Sequence, residues 1–185
     1  MKRLLLSIIC LLLLSGCGHN SALENALQLR SDLLAASECT FDVSVSADFD
    51  NVTYTFDMSC KADRDGNIAF TTTKPESISG ITGTISSDGG NLTFDESILA
   101  FEVLANDMIS PVSSPWFFLT ALRSGYLKAC ERTEEGIHVV ANDTYEDKTF
   151  QVEIYTNKDM IPIHGEILWN GCRIVSLSIT NFNIM

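Results

Sequence analysis

The sequence predicts an α+β fold, one large curved antiparallel β-sheet with two helices packed on its concave face. Three observations predict it. From Thr40 onward apolar residues recur with period two: Tyr54, Phe56, Met58 and Cys60 alternate with Thr53, Thr55, Asp57 and Ser59, the pattern of an antiparallel strand with one face in water. Only two segments carry helical spacing, one from residue 21 and one from residue 114. Between the apolar runs lie short turn signals rich in Asp, Asn and Gly, as in a succession of hairpins.

Taken in order, Ser21-Ala22-Leu23-Glu24 is a capping-box sequence, followed by Ala26, Leu27, Leu33, Leu34 and Ala36 at helical spacing. Residues 21–37 therefore read as an amphipathic helix whose stripe, with Leu23, needs a sheet to cover. Phe41, Val43, Val45 and Ala47 alternate in one strand and Tyr54, Phe56 and Met58 in the next, joined at Phe49-Asp50-Asn51. The turn Asp63-Arg64-Asp65-Gly66-Asn67 leads into strand 68–73, which Pro75 stops. Two short strands, 78–85 and 91–94, meet at Ser87-Asp88-Gly89-Gly90, where the glycines suggest bending or the close approach of another backbone. Apolar residues at 98–101 and 103–104 follow without a clear period. Ser114-Pro115-Trp116 opens the second helix, with Ser at the N-cap and Pro at the first helical position, and Gly125 closes it. Trp116, Phe117, Phe118, Leu119, Ala121 and Leu122 leave almost no polar face, so this helix must be buried on most sides. Strands 126–132, 137–141, 149–156, 161–169 and 173–181 follow, turning at 134–136, 145–148, 157–159 and 170–171. No repeat array, low-complexity segment or interdomain linker interrupts them.

The N-terminus specifies an address. Lys2 and Arg3 precede the apolar run 4–14, and Leu14-Ser15-Gly16 stands before Cys17, the layout of a secretory leader. The Cys in that place resembles the bacterial lipobox, which implies cleavage after residue 16 and lipidation of Cys17. A transmembrane helix would need about 17–25 apolar residues, and this run stops at Gly18-His19-Asn20. The expected organisation is thus a signal peptide (1–16), the lipidated Cys17 with a tether (17–20) and one domain (21–185), held outside the cytoplasmic membrane. Gly18 stands where an inner-membrane retention signal would have Asp, which leaves outer-membrane sorting open in a cell with two membranes.

The chain carries a formal charge of −12, and losing Lys2 and Arg3 makes it more acidic still. That excludes the footprint of nucleic-acid binding and sets the domain off an anionic lipid surface. Cys10 leaves with the leader and Cys17 takes lipid, so Cys39, Cys60, Cys130 and Cys172 remain. An even number in an exported chain favours disulfides over a metal site. The first hairpin suggests Cys39 with Cys60, leaving Cys130 with Cys172; four free buried thiols are the alternative.

Helix first and second helix mid-chain, between blocks of hairpins, resembles the LolA/LolB family of lipoprotein carriers and related surface lipoproteins. The likeness rests on Pro75-Glu76-Ser77-Ile78-Ser79-Gly80 through the hairpin to Phe94, and on Ser110-Pro111 through the helix Trp116 to Leu122. It spans residues 20–183 and implies a half-barrel with room for acyl chains. Two departures stand out: the soluble carrier has no lipobox, and the four cysteines are not part of the family pattern. The candidate cavity lining is Phe41, Val43, Val45, Tyr54, Phe56, Met58, Phe94, Phe101, Trp116, Phe117, Leu119 and Trp169, all residue types that equally suit an ordinary core.

Chemistry is sparsely encoded. His19, His138 and His164 are the only histidines, and G-x-S-x-G, H-E-x-x-H and phosphate-cradling glycine loops are missing. Asp63/Asp65 and Glu134/Glu135 fall in turns, where solvation explains them. The 63–67 turn has Lys74 where a calcium loop would place its closing Glu. The expectation is a protein that is not an enzyme and uses no metal or cofactor. It binds either a lipid or other hydrophobic ligand, or an envelope protein partner with a basic surface. An apolar cavity inside the sheet would favour the first, a filled interior with an exposed apolar patch the second.

Overall fold

The computed structural model describes residues 21–49, 52–105, 108–142 and 150–185. Cys17 with the whole leader and tether, the Asp50-Asn51 link and the 145–148 turn lie outside the described residues. The elements are α1 (Ser21–Ala35), β1 (Glu38–Phe49), β2 (Val52–Asp63), β3 (Ile68–Lys74), β4 (Thr82–Ser86), β5 (Gly89–Phe94), β6 (Ser97–Phe101), β7 (Leu104–Ala105), β8 (Met108–Ile109), α2 (Ser114–Ser124), β9 (Tyr126–Arg132), β10 (Ile137–Asn142), β11 (Phe150–Thr156), β12 (Pro162–Trp169) and β13 (Cys172–Ile184).

Eleven strands form one antiparallel sheet in the order β6-β5-β4-β3-β2-β1-β13-β12-β11-β10-β9, while β7 and β8 pair separately. The first and last strands meet at its middle, Val43 opposite Ile179 and Val45 opposite Leu177. Register shifts at Thr40/Asp42, Asp57/Met58, Val140/Ala141, Tyr155/Thr156 and Ile167/Leu168 bend the strands and strengthen their twist. A sheet this wide curls instead of lying flat, and the result is the half-barrel implied by the sequence resemblance, open between β6 and β9.

The two helices fill it. α1 packs on β9, β10 and α2, and α2 on β10, β11 and β12. The buried stripe of α1 is Ala22, Ala26, Leu29 and Leu33, whereas Leu23, Leu27 and Leu34 are exposed. The helix has thus turned two alanines and two leucines inward and left the other three leucines towards water. α2 behaves as its composition demands, burying Phe117, Phe118, Leu119, Ala121 and Leu122. Ser114, expected at the N-cap, lies inside the helix and donates its hydroxyl to the Pro111 carbonyl at 2.7 Å; the cap position is Ser113, which makes no side-chain cap bond.

Phe118 is fully buried and sets the edge of its ring against β12 at Gly165, where a Cβ would stand 2.6 Å from the ring. Each helix also lends an arginine to the C-terminal end of the other. Arg30 donates to the carbonyls of Leu122 and Gly125 at 2.8 Å and of Ala121 at 3.2 Å. Arg123 donates to Leu33 at 3.2 Å and to Arg64 at 2.6 Å. Carbonyls of the last turns are thereby paired with cations, where the helix dipole favours positive charge, and Ala121 also accepts from the Gly125 amide at 3.0 Å.

Two local expectations change. Residues 78–85 do not form one strand: a 3-10 turn, Glu76–Ile78, comes first and β4 begins at Thr82. Buried Thr72 gathers this loop, donating its hydroxyl to the Ile78 carbonyl while its own carbonyl accepts from the Gly80 amide at 2.9 Å. The disulfides are corrected as well, since Cys39, Cys60, Cys130 and Cys172 are all free thiols. The β1–β2 register sets Cys39 opposite Ala62 and Cys60 opposite Phe41, a diagonal placement whose Cα atoms are about 7–8 Å apart. Cys130 on β9 and Cys172 on β13 have three strands between them, a separation of about 19 Å at ordinary strand spacing, whereas a disulfide requires less than about 7 Å.

Two outcomes follow. Gly165→Val should destabilise the fold by about 1–3 kcal/mol through overpacking against Phe118, measurable as a lower midpoint in urea unfolding. Thiol labelling of the native protein should modify exposed Cys172 first. Cys39, its thiol pushed up to about 12 by burial, and Cys60, pushed up by burial and by nearby Asp42, should react only on unfolding.

Candidate functional site

One row of the sheet register defines the site. Phe41, Cys60, Phe70, Gly83, Leu92 and Leu99 lie side by side across β1 to β6 on the face that holds the helices. Phe41, Cys60 and Phe70 are buried, Leu92 is partly covered and Leu99 is 65 % exposed. The neighbouring row ends similarly, passing from buried Ile68 and Ile85 through Gly90 to half-covered Phe101. The Phe101 ring lies over Gly90, where a Cβ would be 2.2 Å from it. Phe94, 60 % exposed, completes this bare apolar arm on the same face, and Ile98, 73 % exposed, lies at its edge on the opposite face. The arm exists because the helices seat on β9 to β12 and do not extend to the other end of an eleven-stranded sheet.

The acidic residues nearest the arm stand at its ends. Asp95 and Glu96 turn β5 into β6 with φ of 49° and 65°, the left-handed conformation that a two-residue hairpin turn requires and that usually draws Asn or Gly. Glu102 follows β6, and all three carboxylates are exposed.

The residues expected to line a cavity distribute as follows. Phe41, Val43, Val45, Phe56, Met58, Phe117 and Leu119 are buried in the core. Trp116 and Trp169 pack partly buried against it, in an aromatic chain where Phe117 meets Trp116 at 6.3 Å and Phe150 at 5.1 Å, and Phe150 meets Trp169 at 4.5 Å. Tyr54 is half exposed. Phe94 and Phe101 belong to the arm. Sequence reading places Leu92 in a strand without marking it as part of a site, and it does not single out Ile98 or Leu99, because the stretch from 98 has no clean period. The one available signal is the run of five uncharged residues between Glu96 and Glu102.

A cleft of about 690 Å³ lies on the other face of the sheet. Thr40, Asp42, Ser59, Thr71, Thr84 and Asn91 are among its lining, with Ala69 and the strand backbone between them, so it is a trough of mixed polar and apolar lining outside the barrel. Ser59 and Asn181 donate to the Asp42 carboxylate at 2.6 and 2.7 Å and hold it below the usual carboxylate range. A smaller cleft of about 310 Å³ opens beside Trp116, bordered by Leu34, Thr120 and Arg123.

The two histidines among the described residues, His138 and His164, sit on the solvent face of β10 and β12. His138 stacks on Tyr155, ring centroids 4.4 Å apart, and its Nε2 lies 3.1 Å from Glu153 Oε2, which also accepts from the Tyr155 hydroxyl at 3.0 Å. Burial, then the Glu153 hydrogen bond, push the Tyr155 hydroxyl up to about 12. A tyrosine so held stays protonated at neutral pH, and this cluster serves as cross-strand pairing on a wet face. Asp63, the first residue of the expected turn, uses its carboxylate on the turn itself, accepting from the Asp65 and Asn67 amides at 2.9 Å.

Fold and site together define a class: an open half-barrel filled by two helices and bare along one apolar arm. No protein-family model matches the chain, and no curated protein matches it. Among solved structures it is similar to an uncharacterized conserved protein from Thermus thermophilus (12 % identity, 90 % of this chain and 88 % of that one, TM-score 0.49). It is also similar to a putative outer membrane lipoprotein-sorting protein domain from Vibrio parahaemolyticus (10 %, 89 % and 92 %, 0.46) and to a LolA superfamily protein from Nitrosomonas europaea (10 %, 86 % and 93 %, 0.43). Identities this low speak to the course of the chain alone.

Proposed function

We propose that the protein is a lipid-anchored, extracytoplasmic binding protein without catalytic activity, and that its 21–185 domain holds a protein partner through the apolar arm. The observation that carries this is the register row from Phe41 to Leu99, packed at one end and bare at the other. Where the helices reach, the interior is occupied by side chains; where they do not, large apolar groups face water. Exposed apolar surface of that kind marks a place of contact, and the acidic residues at its ends favour a partner that is basic there. Among the described residues no helix is long and apolar enough to cross a membrane, and anchoring is assigned to acyl chains on Cys17.

A second reading, a hydrophobic ligand such as an acyl chain, is favoured by a cleft of about 310 Å³ bordered by Leu29, Met160, Ile161, Pro162, Phe182 and Ile184. Held at Cys17, the protein would act as a stationary acceptor and not as a shuttle.

Cys17→Ser should shift the protein from the membrane fraction to the soluble extracytoplasmic fraction, since stable anchoring depends on the acyl chains. Retention after a high-salt wash would overturn the anchored part of the reading. Affinity purification of the tagged full chain from solubilised envelope should bring down one stoichiometric protein, and Leu99→Glu should lose it while unfolding within about 0.5 kcal/mol of wild type, as exposed substitutions do. Stoichiometric lipid without protein would replace this reading with the second.

A further inference from the structure

The two edges of the sheet are built differently. β9, at one end, carries Lys128, Glu131 and Arg132, the charged side chains with which proteins blunt an exposed edge. β6, at the other end, is Ser97-Ile98-Leu99-Ala100-Phe101, with no charge, no Pro and no described strand on its outer side. An edge left in this state is a template for another strand.

We propose that β6 is the docking edge for an extended segment of the partner, which adds to the sheet as a further antiparallel strand and carries a Lys or Arg at each end of an alternating apolar run. The inference rests on the partner-binding reading above and specifies its mode. Backbone geometry supports it first. The Asp95-Glu96 turn makes Phe94 and Ser97 a hydrogen-bonded pair. By alternation Leu99 and Phe101 also bond to β5, which leaves the N–H and C=O groups of Ile98 and Ala100 pointing off the edge.

Side-chain placement then selects the occupant. Leu99 and Phe101 face the concave side and would meet every second residue of the incoming strand. Glu102, the residue after Phe101, falls by the same alternation on the opposite face with Ile98 and Ala100, and Glu96, in the turn, stands at the other end of the strand. A second copy of this chain fits poorly. Pairing two β6 strands antiparallel about Leu99 brings the Glu96 end of each to the Glu102 end of the other, and like charges so juxtaposed destabilise a pair. A segment with basic residues in those two places turns both contacts favourable, while its main chain takes the free edge groups.

The test uses the purified lipidated protein in detergent micelles and a labelled short peptide, lysine at each end with alternating valine and threonine between, followed by fluorescence anisotropy. Saturable binding that weakens with added salt is expected, and the same peptide with glutamate ends should not bind. Ala100→Pro removes an N–H that faces outward, a position where an edge strand tolerates proline, and should weaken binding about tenfold or more with the circular dichroism spectrum unchanged. Should that variant unfold, Ile98→Lys, at an exposed site, carries the same comparison. Unaltered peptide affinity in a folded edge variant would overturn strand addition, as would a concentration-dependent dimer that Ala100→Pro abolishes. If Leu99→Glu loses the envelope partner while Ala100→Pro keeps it, partner binding stands and strand addition falls. Fluorescent fatty acid bound at the arm without any peptide binding would overturn both.

Discussion

Phe118 set against Gly165 is the contact on which the half-barrel depends. A sheet with one continuous apolar face cannot remain open in water, and a helix of eleven residues covers it only by close approach. The missing Cβ on β12 admits the ring, and the exchange of Arg30 and Arg123 pairs the helix ends that this approach buries. α1 turns Ala22, Ala26, Leu29 and Leu33 inward and leaves three leucines outside.

The consequence is an unequal sheet. Two short helices seated on β9 to β12 protect the core beneath them and the central strands that curl around them, and their cover ends before β6. The polar face is finished by side-chain pairs: Ser44 and Lys74 on Asp57, Ser59 and Asn181 on Asp42, and Glu153 with His138 and Tyr155. Because the Lys74 and Ser44 hydrogen bonds lower Asp57 and those of Ser59 and Asn181 lower Asp42, their contribution to stability is complete above the unfolded carboxylate range and fades as pH falls through the folded values. The polar face is thus satisfied within itself, and the apolar arm is where the molecule remains incomplete.

Much of this was legible in the residues. Period-two alternation located β1, β2, β3 and the five C-terminal strands, because each has one face in water and the other in the core. The missing polar face of 116–122 announced a buried helix. Three things were not legible. The strand expected over 78–85 begins only at Thr82, since Thr72 folds its first part into a loop, and the stretch 98–104 lacks periodicity because Ile98 and Leu99 are exposed on opposite faces. The disulfide expectation depended on register, and a hairpin centre displaced by one residue moves Cys60 from opposite Cys39 to diagonal. The expected lining lay mostly in the core because composition distinguishes apolar from polar side chains but not a filled interior from an empty one.

By itself the sequence determined the alternation, the two helices, the acidic charge and the lipobox-like leader, all properties of neighbouring residues along the chain. Only the tertiary structure decided which apolar residues are covered. Leu99 and Phe41 are indistinguishable as hydrophobic strand residues, yet they stand at opposite ends of one register row. Burial is set by how far two short helices reach across eleven strands, a distance that no local pattern encodes.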